Sequence, residues 1–352
     1  MKLDQKVEII WIDDEMEDHS EDAKYLEYAR KGLSVKIVHP SDLPEYLSEM
    51  KGGRGIPDLF LVDYFLDQVE SKEKRKFERR GLTVAGMLRE IDPERPIYVV
   101  SQKGEVKNGI FISEAHAAKE SFDRVLAFKE IQREGHDILY YDAIDYRALR
   151  EASRLDLTAL FNLLKAPEDV RERLRLIVPT ELRKGLSDSK ATEHPEGNTM
   201  AFTRWTREIL LSVPGFLYDE LHAATYLGLS VESFEKISSE FDDAKYSGIF
   251  AKTAPQLWWV SELNSILFSH PKAQESKKTN PWELAPEVYE IPEEEQTKCV
   301  VCGGSHPETV GVNSKDSGDL KPVHYRCSEL HPDMRRELFF DEPRGFEVPN
   351  SS

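Results

Sequence analysis

Short apolar runs alternate with amphipathic stretches across residues 1–145. Val7-Glu8-Ile9-Ile10-Trp11-Ile12 is nearly continuous in apolar residues and stops at Asp13-Asp14-Glu15. Ser34–Val38, Asp58–Val62, Pro96–Val100 and Asp137–Tyr141 share that character. Runs of this length without polar alternation mark strands buried on both faces, as in a parallel sheet. Between them, Glu21–Lys31, Leu82–Ile91 and Ser113–Glu134 repeat their apolar residues at helical spacing. The gap between the second and third runs has no clear period. The alternation predicts an α/β domain over residues 1–147, a doubly wound five-stranded parallel sheet of the flavodoxin-like type.

The pattern then changes. Tyr146–Lys165, Pro167–Leu176, Phe202–Val213, Gly215–Gly228, Ser230–Phe241 and Leu257–Phe268 carry helical spacing, punctuated by Pro214-Gly215 and Gly228. Gly185–Asn198 is polar and reads as a loop. These features predict an all-α domain over residues 148–272. Residues 273–297 are rich in Lys, Glu and Pro and read as a solvated linker. A small module with all the cysteines follows at 298–345.

Composition narrows the function classes. The chain has 352 residues, of which 39% are hydrophobic, enough to build cores. Its formal net charge is −18, and phosphate polyanions and anionic membranes are repelled at long range by such a body. No stretch has the length of apolar sequence a membrane span needs, and the first residues lack a signal-peptide layout, so the expected location is cytoplasmic. The 3 cysteines, Cys299, Cys302 and Cys327, cluster at one end. An odd, clustered set suits a metal site better than a disulfide framework.

Several carboxylates fall at the carboxyl ends of expected strands. Asp13 and Asp14 close the first and Asp63 the third, while Ser101 closes the fourth. In an open parallel sheet those ends flank the switch point where ligands bind. Converging carboxylates repel one another unless a cation lies among them, and Mg²⁺ suits such oxygen donors. Ile12-Asp13-Asp14-Glu15, Leu61-Val62-Asp63, Gly81 ahead of a helix and Val99-Val100-Ser101 resemble the receiver domain of two-component response regulators, over roughly residues 6–150. The resemblance implies that Asp63 accepts a phosphoryl group from a histidine kinase and that Asp13, Asp14 and Asp63 hold Mg²⁺. It implies that Ser101 bonds the phosphoryl group and couples it to the surface of helix four and strand five.

Two departures from the family stand out. Receivers carry a lysine after strand five that neutralises the acyl phosphate. Matching Tyr140-Tyr141-Asp142-Ala143 to that strand end puts Asp142 in the lysine's place, where a carboxylate opposes an anionic phosphoryl group. Lys103, just past Ser101, is the available substitute. The loop after strand three is also expanded, to Asp67–Arg80, with more basic than acidic residues. That segment would supply positive charge or dock an acidic partner. Two readings of the domain follow: a working phosphoacceptor, or a pseudo-receiver adaptor that binds partners without phosphotransfer.

At the other end, Cys299-Val300-Val301-Cys302-Gly303 is a C-x-x-C-G turn and His324-Tyr325-Arg326-Cys327 an H-x-x-C pair ahead of an expected helix, Ser328–Phe340. Two such pairs suit a tetrahedral structural Zn²⁺ site of Cys₃His type. The arrangement resembles a treble-clef zinc finger, with Thr309–Val312 and Pro322–Tyr325 as its hairpin. His306 and His331 are alternative fourth ligands. The aromatics of the middle region, among them Phe234, Phe241, Trp258 and Trp259, have the spacing of a core. His222 and Tyr218 would share a helix face. No P-loop, G-x-S-x-G or metalloprotease pattern occurs. The sequence thus points to a signalling phosphoacceptor or adaptor rather than a turnover enzyme. A zinc-dependent nucleic-acid-binding regulator is the remaining alternative.

Overall fold

The structure is a computed structural model that describes residues 5–52, 55–64, 66, 81–101, 122–153, 157–179, 198–300, 303–305, 309–313 and 320–324. The chain divides into two compact units, Met1–Leu163 with Pro179–Arg204, and Leu164–Val178 with Trp205–Ser352.

The first unit is built on a parallel sheet of β1 (Val7–Ile12), β2 (Leu33–Val38), β3 (Leu59–Asp63), β4 (Ile97–Ser101) and β5 (Arg124–Ala127), in the order β2-β1-β3-β4-β5. The helices are α1 (Met16–Ala29), α2 (Leu43–Lys51), α3 (Gly81–Ile91), α4 (Phe128–Ser153) and α5 (Leu157–Leu163). Alternation along each strand feeds both faces of the sheet. Ile10, Ile12, Phe60, Val62, Ile97 and Val99 pack with Leu43, Leu47 and Met50 of α2 and Val84, Ala85 and Leu88 of α3. On the opposite face, Trp11 stacks on His19 of α1, and Tyr98 meets Tyr146 of α4 edge-on. The gap whose period was unclear is α2, opened by Pro44 and buried through Leu43, Tyr46, Leu47 and Met50.

The fifth strand is not where the apolar run placed it. Residues 137–141 lie inside α4, and the strand is Arg124–Ala127, within the stretch expected as helix Ser113–Glu134. The strand is anchored at its start. The Asp123 N–H donates to the Ile97 carbonyl at 2.8 Å, and the Asp123 carboxylate accepts the Ile97 N–H at 2.7 Å and a bond from Arg89. Residue 147, the expected domain boundary, is interior to α4, which runs on for 26 residues.

The second unit is mainly helical: α6 (Glu168–Ile177), a π-helix at Trp205–Leu210, α7 (Glu220–Tyr226), α8 (Val231–Ile237), α9 (Val260–Ser269), α10 (Pro271–Glu275) and α11 (Pro281–Val288). A two-residue ladder joins β6 (Leu217–Tyr218) to β7 (Trp258–Trp259). Its core gathers Leu227, Phe234, Phe241, Trp258, Leu263 and Leu267 with Leu284, Ala285 and Val288. Those last three overturn the linker expected at 273–297. The stretch holds the end of α10, all of α11 and a 3-10 turn at Glu293–Glu295, and its charged residues are the solvent side of elements whose apolar side completes this core. An antiparallel hairpin, β8 (Thr309–Asn313) with β9 (Leu320–His324), follows as expected.

Candidate functional site

Strand register lines up the chemistry of the first unit. Ile12 pairs with Val62, Asp63 with Val100, and Ser101 with Ala127. Asp13, Asp63, Ser101 and Ala127 therefore stand at or just past the carboxyl ends of four neighbouring strands. Asp13 is 2% exposed and follows β1, with its N–H on the Val38 carbonyl. Its Oδ1 accepts the Glu15 N–H at 2.8 Å. Burial pushes the Asp13 carboxyl up, Asp14 and Glu15 add to the shift, and the Glu15 N–H and His19 oppose it. Asp14 and Asp63 are half-buried.

A glycine fixes the backbone at Asp63. The Gly81 N–H donates to the Tyr64 carbonyl at 3.1 Å, and a Cβ on Gly81 would lie 2.5 Å from the Asp63 carbonyl oxygen. Any side chain there would push the end of β3 out of line. The basic excursion expected at Asp67–Arg80 leaves and returns at this junction, and its residues lie outside the described ones. So do Lys103 and the side chain of Ser101.

Asp142 is not at this rim. It lies in α4, fully buried, accepting the Tyr98 hydroxyl and an Arg124 Nη1 bond at 3.0 Å. The misplaced fifth strand had carried it to the pocket. The residue that ends β5 beside Ser101 is Ala127, so the rim has neither the lysine nor an opposing carboxylate at that position.

The sequence reading missed His19. Its ring is 5% exposed and lies between Trp11, at 5.1 Å between centroids, and Phe128, at 4.9 Å. Its Nδ1 is 3.2 Å from Asp22, and its Nε2 is 3.8 Å from Asp13 and 4.0 Å from Glu15. The signal was present: His19, Ala23 and Leu26 recur at the spacing of one helix face, and all three are buried.

Among the described residues no three His, Cys, Asp or Glu side chains are gathered into a metal-holding group. Mg²⁺ commonly binds through one or two carboxylates and keeps its waters. The oxygens of Asp13, Asp14 and Asp63 are the donors such an ion takes. By chemistry these oxygens suit the ion, but the three carboxylates are not gathered around one point, so such an ion would be held by one or two of them with waters.

In the second unit, Cys299 is 2% exposed and begins a tight turn. The Cys299 N–H donates to the Gly304 carbonyl at 3.0 Å and the Gly303 N–H to the Cys299 carbonyl at 2.8 Å, with Gly303 at φ 70°. The Val300 N–H bonds the Pro322 carbonyl on β9, the strand that ends at His324. Cys302, Cys327, His306, His331 and the expected helix Ser328–Phe340 lie outside the described residues. Elsewhere in this unit, Asp219 caps α7 by accepting the His222 N–H and lies 2.7 Å from its Nδ1. Tyr218 and His222 do not share a helix face, since Tyr218 lies in β6 and His222 in α7, but their rings are neighbours, with centroids 6.0 Å apart.

No described helix is long and apolar enough to cross a membrane. No protein-family model matches the chain, and no curated protein matches it. Solved structures similar to its N-terminal part include response regulator receiver domains. One from Francisella is 15% identical, with a TM-score of 0.27, and the match covers 38% of this chain and 97% of that one. One from Clostridium thermocellum is 20% identical, with a TM-score of 0.30, covering 41% and 98%. A response regulator solved in complex with a histidine kinase is 18% identical, with a TM-score of 0.27, covering 38% and 97%. At these identities and scores, the case for a function rests on the chain's own residues.

Proposed function

We propose that this protein is a response-regulator-like signalling protein whose first unit presents Asp63 as an acyl-phosphate acceptor, and whose helical and zinc-bearing region carries the output. One observation supports it above the rest: the strand register that sets Asp13, Asp63 and Ser101 side by side at one edge of the sheet. An Asp63 carboxylate oxygen attacks the phosphorus of a phosphohistidine on a kinase, or of a small acyl phosphate. The bond from phosphorus to the leaving group breaks, and that group departs with the electron pair. Mg²⁺ held by one or two of the Asp13, Asp14 and Asp63 carboxylates, with waters, would supply neutralising charge. Asp13 would orient a bound water, and the Ser101 hydroxyl would bond the phosphoryl oxygens and report their arrival. Lys103 is the nearest lysine in sequence to the Ser101 strand end. Intact mass after acetyl phosphate treatment with Mg²⁺ tests this. A phosphoryl adduct that vanishes in Asp63→Asn is expected; a wild-type chain that never gains one leaves the pseudo-receiver adaptor, the reading that Ala127 at the end of β5 favours.

Cys299, Cys302, His324 and Cys327 would hold a structural Zn²⁺. The backbone turn at Cys299 and its bond to the strand of His324 support this assignment. Four protein ligands leave no open position, so the ion would serve folding rather than catalysis. Elemental analysis tests it: one zinc per chain is expected, lost in Cys299→Ser. A metal-free wild type of unchanged stability would refute it.

A further inference from the structure

We propose that His19 is a positioning residue for Asp13, supplying a nitrogen from α1 at a rim where strand five supplies none. The inference deepens the acyl-phosphate reading and rests on it. It starts from a mismatch at the rim. Ala127 ends β5 in register with Ser101, so that strand sends no nitrogen toward the acids. Asp13 is nonetheless buried at 2% exposure, and a buried carboxylate needs a counter-group.

His19 is placed to be that group. The polar groups around its ring include Asp13 past β1, Glu15 ahead of α1 and Asp22 on α1, at 3.8, 4.0 and 3.2 Å. Gln132 of α4 reaches Asp22 at 3.5 Å. Asp13 Oδ1 is taken by the Glu15 N–H, so Oδ2 is the oxygen left facing His19. The ring cannot swing away, since Trp11 of β1 and Phe128 flank it. Phe128 directly follows Ala127. The imidazole therefore lies between a side chain of β1 and the residue that directly follows β5. A histidine serving only as filler would need one partner, and an apolar ring would serve as well. Asp22 bonds Nδ1, while Asp13 and Glu15 face Nε2 at 3.8 and 4.0 Å, beyond hydrogen-bond reach, so the coupling to Asp13 acts through charge rather than a direct bond.

The test is the initial rate of acetyl phosphate labelling with Mg²⁺, on the full chain. His19→Phe keeps the stack and removes both nitrogens. It is expected to label about tenfold more slowly, the usual scale for losing a supporting group around a metal site. His19→Gln keeps an N–H donor and is expected to retain more of the rate. Adding Ala127→Lys to His19→Phe is expected to recover most of it, which no repair of packing at α1 would do. A wild-type rate in His19→Phe, equal losses in the two His19 variants, or a double variant as slow as His19→Phe would overturn the proposal. Should the wild type not label at all, the acyl-phosphate reading fails by itself, and urea midpoints of Asp13→Asn, His19→Phe and the pair decide the rest. A double variant no less stable than His19→Phe supports the pairing, and additive losses overturn it.

Discussion

Replacing Asp142 separates a residue of the fold from a residue of the pocket. Asp142 is fully buried in α4, where it accepts the Tyr98 hydroxyl of β4 and an Arg124 bond of β5. One carboxylate thus ties a helix to two adjacent strands. Asp142→Ala leaves Tyr98 and Arg124 facing a cavity. A hydrogen bond to a charged group contributes about 1.5–3 kcal/mol. Breaking a buried ion pair by removing one partner costs about 3–5 kcal/mol. The Arg124 side chain is 24% exposed, so water replaces part of its loss. The net expectation is about 3 kcal/mol for Asp142→Ala and about half that for Asp142→Asn, which keeps an acceptor. At urea slopes of about 1–3 kcal/mol per molar, the alanine variant should unfold at least about 1 M earlier by far-UV circular dichroism. Labelling of Asp63 in dilute buffer should stay at the wild-type rate. A midpoint that does not move, or labelling that accelerates because a charge opposing the phosphoryl group has gone, would return Asp142 to the rim and refute its placement in α4.

Gly228→Ala should destabilise the second unit by about 3 kcal/mol or more, read from tryptophan fluorescence in urea. Gly228 has φ 72°, and a Cβ there would lie 2.2 Å from the Trp282 carbonyl oxygen. Phe234→Ala, at a fully buried site in the same core, should cost about 3–5 kcal/mol in that assay. For Asp219, burial pushes the carboxyl up, but the His222 ring, its charge and its N–H outweigh that and hold it below the ordinary 3.8. The folded pKa is depressed, so this stabilisation is present above about pH 4 and is lost as pH falls through the folded value. Asp219→Asn should lower the thermal midpoint at pH 7 and narrow its gap from wild type in acid.

Much of the first unit was legible because β1, β3 and β4 are buried on both faces, which leaves continuous apolar runs with an acid or hydroxyl at the end. Strand five was illegible for the complementary reason. In Arg124-Val125-Leu126-Ala127 only Leu126 is buried, and Val125 is 37% exposed, so nothing apolar marks the segment. The misleading run at 137–141 belongs to a helix. There α4 packs against α1, β1, β5, α5 and the helix Asn198–Arg204, and burial on several sides makes Ile138, Leu139 and Tyr140 all apolar in succession. That error carried Asp142 into the pocket with it. In the second unit, Leu284, Ala285 and Val288 were masked by the charges beside them. His19 escaped because one histidine on an apolar helix face looks like packing until the carboxylates around it are located in space.

The bond from the Gly81 N–H to the Tyr64 carbonyl fastens the two roots of the intervening stretch together next to Asp63. Joining ends that are already held costs little more when the strand between them is lengthened. Changes in the size or content of that stretch are thereby insulated from the sheet. An epitope or a photocrosslinking residue spliced between Asp67 and Arg80 would enter a stretch whose two roots meet beside Asp63, giving a way to trap whatever protein approaches that carboxylate.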